Sequence, residues 1–444
     1  MLSYHWHQQA VPSQLAASQV WEALFGHLDI GVLLESPASS SPNLARYSIL
    51  GGSPQQIYTP GLGQVLPCLQ KLLDSHPPQD LAFPDLPFTG GWLGWLGYDL
   101  AWEIERLPYT KPDSLPFPIA FWYAPQQFAV LDHQTEQLYL AAIELDHLQH
   151  MQSRLANYQP APVIDFGSAA TSLQFFPDQA TYEQMVAQAQ AHIRAGDIFQ
   201  ANLSLRFSLE QTASGWQLYR QLQRINPSPF ACYWRTPWGE VISASPERLL
   251  SLRSLNLQTR PIAGTRSRSP DLAQDLLLEQ ELLASGKDCA EHIMLLDLER
   301  NDLSKVSRWG SVQVDEFLSV ERYSHVMHLV SNVIGSLDTR FTPIQAIAAM
   351  FPGGTITGCP KVRCMEIIEQ LEPQRRSLFY GSCGYLDWRG DLDLNILIRT
   401  LLKSQDQIWG QVGAGIVADS QPTAEWQECL SKAKAQLFAL GLSI

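Results

Sequence analysis

The chain reads as an α+β fold, and three observations carry that reading. Segments with helical spacing and segments of strand character are mixed without a regular β-α-β period, which argues against a doubly wound parallel sheet. No internal repeat is present. Of the 444 residues, 45% are hydrophobic and 17% charged, a globular balance with material for a large core.

The elements follow in order. "ESPASSSPN" (35–43) is a loop between short strands, and "ARYSILGGSP" supplies the next strand and turn. In "FTGGWLGWLGYD" (88–99) the glycines let aromatic-rich strands pack closely, a structural role with no chemistry in it. "LYLAAIEL" (138–145) reads as a buried strand. "NYQPAPVIDFGSAATS" (157–172) has linker composition, which divides the chain into a region 1–157, a linker 158–172 and a second region 173–444. Beyond it, Tyr182, Val186, Ala189 and Ile193 fall at helical spacing, with Gly196 as the stop, and "IFQANLSLRF" is a strand. Further helices are expected around 275–296, 343–350, 360–371, with Pro360 as the first helical residue, and 423–440. Strands are expected near 229–234, 240–243, 311–318, 379–388, 395–401 and 408–412.

The net charge of −14 and the lack of any Lys/Arg-rich run argue against a nucleic-acid surface, while leaving room for a locally positive pocket. Seven scattered cysteines without CxxC spacing form neither a disulfide framework nor a zinc site. A basic leader with an apolar core is missing, as is any run of about twenty apolar residues, so no signal peptide and no membrane span are expected. The expected location is the cytoplasm.

Four constellations can carry chemistry. In "TAEWQECLSKAKA" (423–435), Glu425, Glu428 and Lys432 lie on one helical stripe, and in "GKDCAEHIMLLDLERNDLSKV" (286–306) Asp288 and Glu291 are again three apart, followed by His292. Two helices offering such pairs supply four hard oxygens, a donor set that suits magnesium. Arg300, Asn301 and Asp302 read as structural. "FPGGTITGCPKVRCMEIIEQLEP" (351–373) is a flexible loop feeding a helix N-terminus, where free N–H groups favour an anion. It lacks the Walker order, which favours a carboxylate over a nucleotide phosphate as the anion. Gly413, Ala414 and Gly415 form a small-residue turn that lets a ligand approach the backbone, and Arg399 sits in an apolar strand with the geometry to hold a carboxylate. Glu247 follows a strand, Gly264 and Thr265 come shortly after it, and His328 is flanked by apolar residues, where it can transfer protons near neutral pH. Each has a plainer alternative: a solvated helix face, a turn with a cap, an internal ion pair, a satisfied core histidine.

Taken in order, "GDIFQANLS", "SPERLL", "PIAGT", "KDCAEHIMLLDLERNDL", "VMHLVS", "PGGTITGCPKVRCMEIIEQLEP", "GYLDWRGDLDLNILIRT" and "GAGIVADSQPTAEWQE" resemble the chorismate-utilising enzymes over about 185–435. The first 150 residues resemble the N-terminal region of the two aminating members. The resemblance implies two large, mainly antiparallel sheets packed together with helices outside. It implies Mg²⁺ on Glu291 and Glu428, supported by Asp288 and Glu425, and chorismate contacts from Gly264, Thr265, Arg399, Gly413, Ala414, Gly415, Lys361 and Tyr385. His328, Thr355 and Lys432 take ring-facing positions, and Glu247 is the acid that protonates the departing hydroxyl. One position departs from the pattern: where anthranilate synthases have a substrate-binding tyrosine, this chain has Phe379, with Tyr380 one place on.

Gln200 stands where the water-adding members have a lysine base. A neutral amide cannot activate water, which leaves amination by ammonia. Asn202, "PGGTITG" and "DLNILIRT" resemble aminodeoxychorismate synthase component I, whereas Ala263 in "PIAGT" is the anthranilate synthase form, where many of the former have lysine. The expectation is aminodeoxychorismate synthase, with anthranilate synthase as the alternative. "LLES" (33–36) resembles the tryptophan-inhibition motif and makes Ser36 a possible tryptophan site. No G-x-C-x-G elbow of a glutaminase is present, so a separate glutamine amidotransferase subunit is expected to supply ammonia.

Overall fold

The structure is a computed structural model that describes residues 3–12, 15–37, 46–76, 82–160, 173–322 and 326–442. Two large antiparallel sheets organise it. The 12-stranded sheet runs in the order His5–Ala10, Gln137–Ala142, Gln127–Asp132, Tyr47–Gly51, Gly31–Glu35, Phe230–Thr236, Gly239–Ser245, Thr400–Ser404, Gln407–Ile416, Gln200–Glu210 and Gly358–Cys359, with Gln174–Phe176 beside Gln200–Glu210. The 10-stranded sheet runs Ile262–Ser267, Val326–Ser336, Asn256–Arg260, Arg248–Arg253, Leu392–Asn395, Ser382–Asp387, Gly91–Leu96, Ala120–Pro125 and Pro54–Tyr58, with Gln313–Arg322 beside Val326–Ser336.

Apolar side chains from the facing sides of the two sheets, among them Val32, Trp234, Trp95, Leu250 and Leu394, merge into one core. A second core lies between the outer face of the 12-stranded sheet and helices that include Ala17–Phe25, Gln179–Arg194, Gly215–Ile225 and Pro422–Ala439. Burial of such side chains, at roughly 1.5–3 kcal/mol each, is what holds the layers together. The aromatic-rich strand Gly91–Leu96 needs its glycine at 94, where a methyl group would collide with the Phe121 carbonyl and the Trp122 ring.

Strands on both sides of 158–172 share both sheets: Gly31–Glu35 pairs with Phe230–Thr236, and Gly91–Leu96 with Ser382–Asp387. Of the linker segment, 161–172 lies outside the described residues, as does most of the 35–43 loop.

Several element boundaries differ from expectation. The single helix expected around 275–296 is two, Leu272–Ala284 and Gly286–Ser304. Ser285 breaks the run by leaving helical geometry and capping the second helix, its Oγ accepting the Asp288 N–H at 3.2 Å. Pro360 is extended and precedes the helix, which starts at Lys361. The strand expected over 395–401 is interrupted, because Arg399 adopts φ +50°, and pairing resumes only at Thr400. The strand expected from 379 starts at Ser382, with Tyr380 at φ +65° just before it.

Candidate active site

Two helices and one strand pair bring the acid set together. Gln200–Glu210 pairs with Gln407–Ile416, so that Gly415 lies opposite Asn202 and Gly413 opposite Ser204. Helix Gly286–Ser304 delivers Glu291 to the start of this pair, where Gln200 Nε2 donates to Glu291 Oε1 at 2.6 Å. Helix Pro422–Ala439, begun by a proline suited to a first turn, delivers Lys432, whose Nζ donates to the Gly413 carbonyl at 2.8 Å and pairs with Glu428 Oε1 at 2.8 Å. Burial pushes the Glu291 carboxyl above its usual range; Gln200 and Lys432 oppose this, and the Glu428 charge adds to it. Burial and the same Glu428 charge push Glu425 up, against the pull of Ser420, Lys287 and Lys432. Carboxylates from two helices far apart in sequence thus share one electrostatic neighbourhood.

Asp288, the fourth acid expected, is ion-paired. Arg266 Nη2 donates to its Oδ2 at 2.8 Å. Among the described residues, no group of three or more His, Cys, Asp or Glu side chains is close enough to hold a metal ion by itself.

The second part of the site lies where Ile262–Ser267 meets Val326–Ser336, in a register that sets Thr265 opposite His328. Thr265 Oγ1 is 2.9 Å from His328 Nδ1, and Arg399 Nη2 is 3.0 Å from His328 Nε2. A guanidinium can only donate, so Nε2 accepts and the ring proton resides on Nδ1, where it points to the threonine oxygen. Burial, then the Arg399 charge, pulls the imidazole down to about 3. Beside a guanidinium and out of water, the imidazole is held in its neutral form. Gly264, at φ +75°, turns the strand beneath Asp288 and Leu282.

Glu247 forms the third part. It is 4% exposed, and burial pushes its carboxyl up to about 8, with the Thr355 hydroxyl and Arg399 opposing and Glu299 adding to the shift. Thr355 sits on the short turn Gly354–Ile356, which is held from three sides. Gly354 N–H donates to Glu299 Oε1 at 2.8 Å, Asn202 Nδ2 to the Thr355 carbonyl at 3.3 Å, and buried Arg376 Nη1 to the Ile356 carbonyl at 2.8 Å. Burial likewise pushes Glu299 up to about 7.

Two expected side-chain contacts have other partners, and a third keeps only its backbone at the site. Lys361 Nζ is bound to Asp302 Oδ2 at 2.5 Å and to the Met350 carbonyl at 3.1 Å, which ties three helices together and leaves its charge spent inside the protein. Tyr385 faces Phe88 and lines a cavity of about 810 Å³ together with Ser36, Arg248, Asp393 and Asn395; none of Glu247, Glu291, His328 or Lys432 borders it. Ser36 Oγ donates there to the Pro229 carbonyl at 2.6 Å. Ala414 turns its methyl into the core behind the strand, so only its backbone faces the site with Gly413 and Gly415.

Four residues were not anticipated in these roles. Lys287 acts on Glu291 and Glu425, and its spacing of four from Glu291 was a readable signal. Asn202 and Glu299 hold the Thr355 turn across long sequence distances that leave no local mark. The small-residue turn expected at 413–415 is instead part of the strand Gln407–Ile416, and Tyr380 lies beside it: a methyl on Gly413 would lie 2.7 Å from its buried hydroxyl, which has no hydrogen-bond partner among the described residues.

Comparison with known proteins gives the family and the fold. The family model described as chorismate binding enzyme matches residues 33–438. The chain is 55% identical to "Anthranilate synthase component I-like protein" of Synechocystis sp., covering 98% of this chain and 92% of that protein. It is 43% identical to "Aminodeoxychorismate synthase component 1" of Bacillus subtilis, over 81% of this chain and 78% of the relative. The crystal structure of anthranilate synthase component I from Streptococcus pneumoniae superposes with a TM-score of 0.80 at 32% identity, covering 96% and 98% of the two chains.

Proposed function

The chain belongs to the chorismate binding enzymes, an assignment its match over 33–438 carries, and from that premise we propose that it aminates chorismate to 4-amino-4-deoxychorismate. The observation that supports amination is the 2.6 Å bond from the Gln200 amide to Glu291. An amide spent as a donor to a carboxylate has no basic lone pair with which to deprotonate water, whereas ammonia is already nucleophilic.

The residues divide the work. Glu247 holds its proton at neutral pH because its carboxyl sits at about 8, so it can donate to a departing hydroxyl. Arg399, fixed against His328, offers a cation to one substrate carboxylate, and the backbone at Gly413–Gly415 offers close approach. Glu291 and Glu428 are hard-oxygen donors on converging helices, and a Mg²⁺ that keeps its waters and takes one or two protein carboxylates fits them better than a four-carboxylate cage. Glu425 supports the pair from the next turn of its helix. Bound there, the ion would neutralise a second substrate carboxylate. The names "component I" and "component 1" of the relatives support a second subunit, a glutamine amidotransferase, as the source of ammonia. Ser36, on the wall of the 810 Å³ cavity, is our candidate for an effector site that takes tryptophan.

A second reading, anthranilate with release of pyruvate, is favoured by Ala263 and by the Synechocystis relative's name. Incubation of the purified chain with chorismate, Mg²⁺ and ammonium separates the two. A non-fluorescent product that a lyase converts to 4-aminobenzoate is expected; fluorescent anthranilate with stoichiometric pyruvate overturns the first reading.

A further inference from the structure

Cys232 lies in Phe230–Thr236 of the 12-stranded sheet and Cys383 in Ser382–Asp387 of the 10-stranded sheet, yet their sulfurs are 3.3 Å apart. Both are free thiols, 0% and 2% exposed. The sheets are already clamped at this point by Asn395. Its Oδ1 accepts the Cys383 N–H at 2.9 Å, and its Nδ2 donates to the Phe230 carbonyl at 3.0 Å. Cys383 is also among the residues that line the 810 Å³ cavity, the side from which a small reagent would approach.

We propose that Cys232 and Cys383 are a covalent modification site, a thiol pair that closes to a cross-sheet disulfide when a peroxide-class oxidant enters the cavity. The Cys383 sulfur attacks one peroxide oxygen; the O–O bond breaks, giving a sulfenic acid and one water. The Cys232 sulfur then attacks the sulfenic sulfur; the S–O bond breaks, and the leaving hydroxide takes the Cys232 proton as a second water. Two thiols lose two electrons, and hydrogen peroxide gains them. Cys383 is the first to react because it borders the cavity, while burial holds the Cys232 thiol well above its ordinary pKa. Bonding brings the sulfurs to about 2.05 Å, a short closure between strands that Asn395 already holds in place. The product staples the two sheets at the cavity wall.

The full chain is exposed to hydrogen peroxide, denatured, alkylated with N-ethylmaleimide and mapped by mass spectrometry. The expected result is a linked 232–383 peptide that dithiothreitol releases, with a thermal midpoint that rises on oxidation and returns on reduction. In Cys232→Ser, dimedone should label Cys383 as the trapped sulfenic acid. Oxidation confined to Cys68, Cys289 or Cys359, a Cys359–Cys364 link, or sulfinic acid at Cys383 with Cys232 still alkylatable, would overturn the proposal. The wild-type peptide map decides even where a serine variant folds poorly, and it needs no substrate.

Discussion

Replacing Gly415 by alanine tests the arrangement of the acid set at a single atom. The new methyl would sit on top of Gln200 Nε2 and 2.9 Å from Glu291 Oε1, the two atoms joined by the 2.6 Å bond. What must yield is the far end of a flexible side chain, so the amide swings away and the strand pairing with Asn202 survives. The lost bond is charge-assisted and worth about 1.5–3 kcal/mol. At about 1.4 kcal/mol per tenfold, kcat/KM for chorismate should fall by roughly 10- to 150-fold. Stability should fall by less than the bond's full worth, because alanine restricts the unfolded chain by about 0.4–1 kcal/mol in partial compensation. The assay is ammonia-dependent turnover at saturating Mg²⁺, alongside Gln200→Ala and the double variant. If the damage runs through Gln200, the double variant is no worse than Gln200→Ala alone. A Gly415→Ala enzyme within twofold of wild type, or a double variant showing the product of both losses, refutes the reasoning.

Three further outcomes are expected. Glu428→Gln, nearly isosteric, should remove most Mg²⁺-dependent turnover and leave the thermal midpoint within a few degrees; unchanged activity at limiting Mg²⁺ speaks against the assignment. With Glu247 acting as an acid whose carboxyl sits at about 8, kcat/KM should be level below that pH and fall tenfold per unit above it, and Glu247→Gln should lack this limb. The same raised value links protonation to folding: its contribution to stability is complete below the ordinary 4.5 and is lost as pH rises through about 8, which urea titrations of wild type and variant at pH 4, 7 and 9 can read. Lys361→Met leaves Asp302, 1% exposed, with Lys305 at 2.8 Å as its remaining ion pair among the described residues, and should cost about 3 kcal/mol in equilibrium unfolding while kcat stays near normal in the folded fraction. A large kcat loss at full stability would return Lys361 to the substrate.

The parts of this site that could be read in one dimension are those written in one helix. Glu425, Glu428 and Lys432 share a stripe because spacings of three and four do, and Pro422 marks where their helix begins. The run "LLLEQELLASGKDCAEH" hid its break, because apolar residues continue on both sides; the serine three residues before Asp288 was the available cue. Arg399 and Tyr380 sit at positive φ, which no propensity of arginine or tyrosine announces, and the strands expected around them were drawn too long. Lys361 shows the limit of motif reading: the resemblance made it a substrate contact, and in the folded chain its ammonium is bound to Asp302. Sheet order was the least legible, since pairing between residues 200 positions apart depends on shape and not on local pattern.

The sharing of both sheets by early and late strands has a consequence for biosynthesis. Residues 31–35 emerge from the ribosome about two hundred residues before their partner strand at 230–236, and 91–96 almost three hundred before 382–387. At roughly 5–20 residues per second, the first strands wait tens of seconds with open edges before their partners exist. Nascent chains of this protein should therefore lean on chaperones that shield such edges, and severing the polypeptide near residue 165 should yield halves that are recovered in soluble form only when both are made in the same cell.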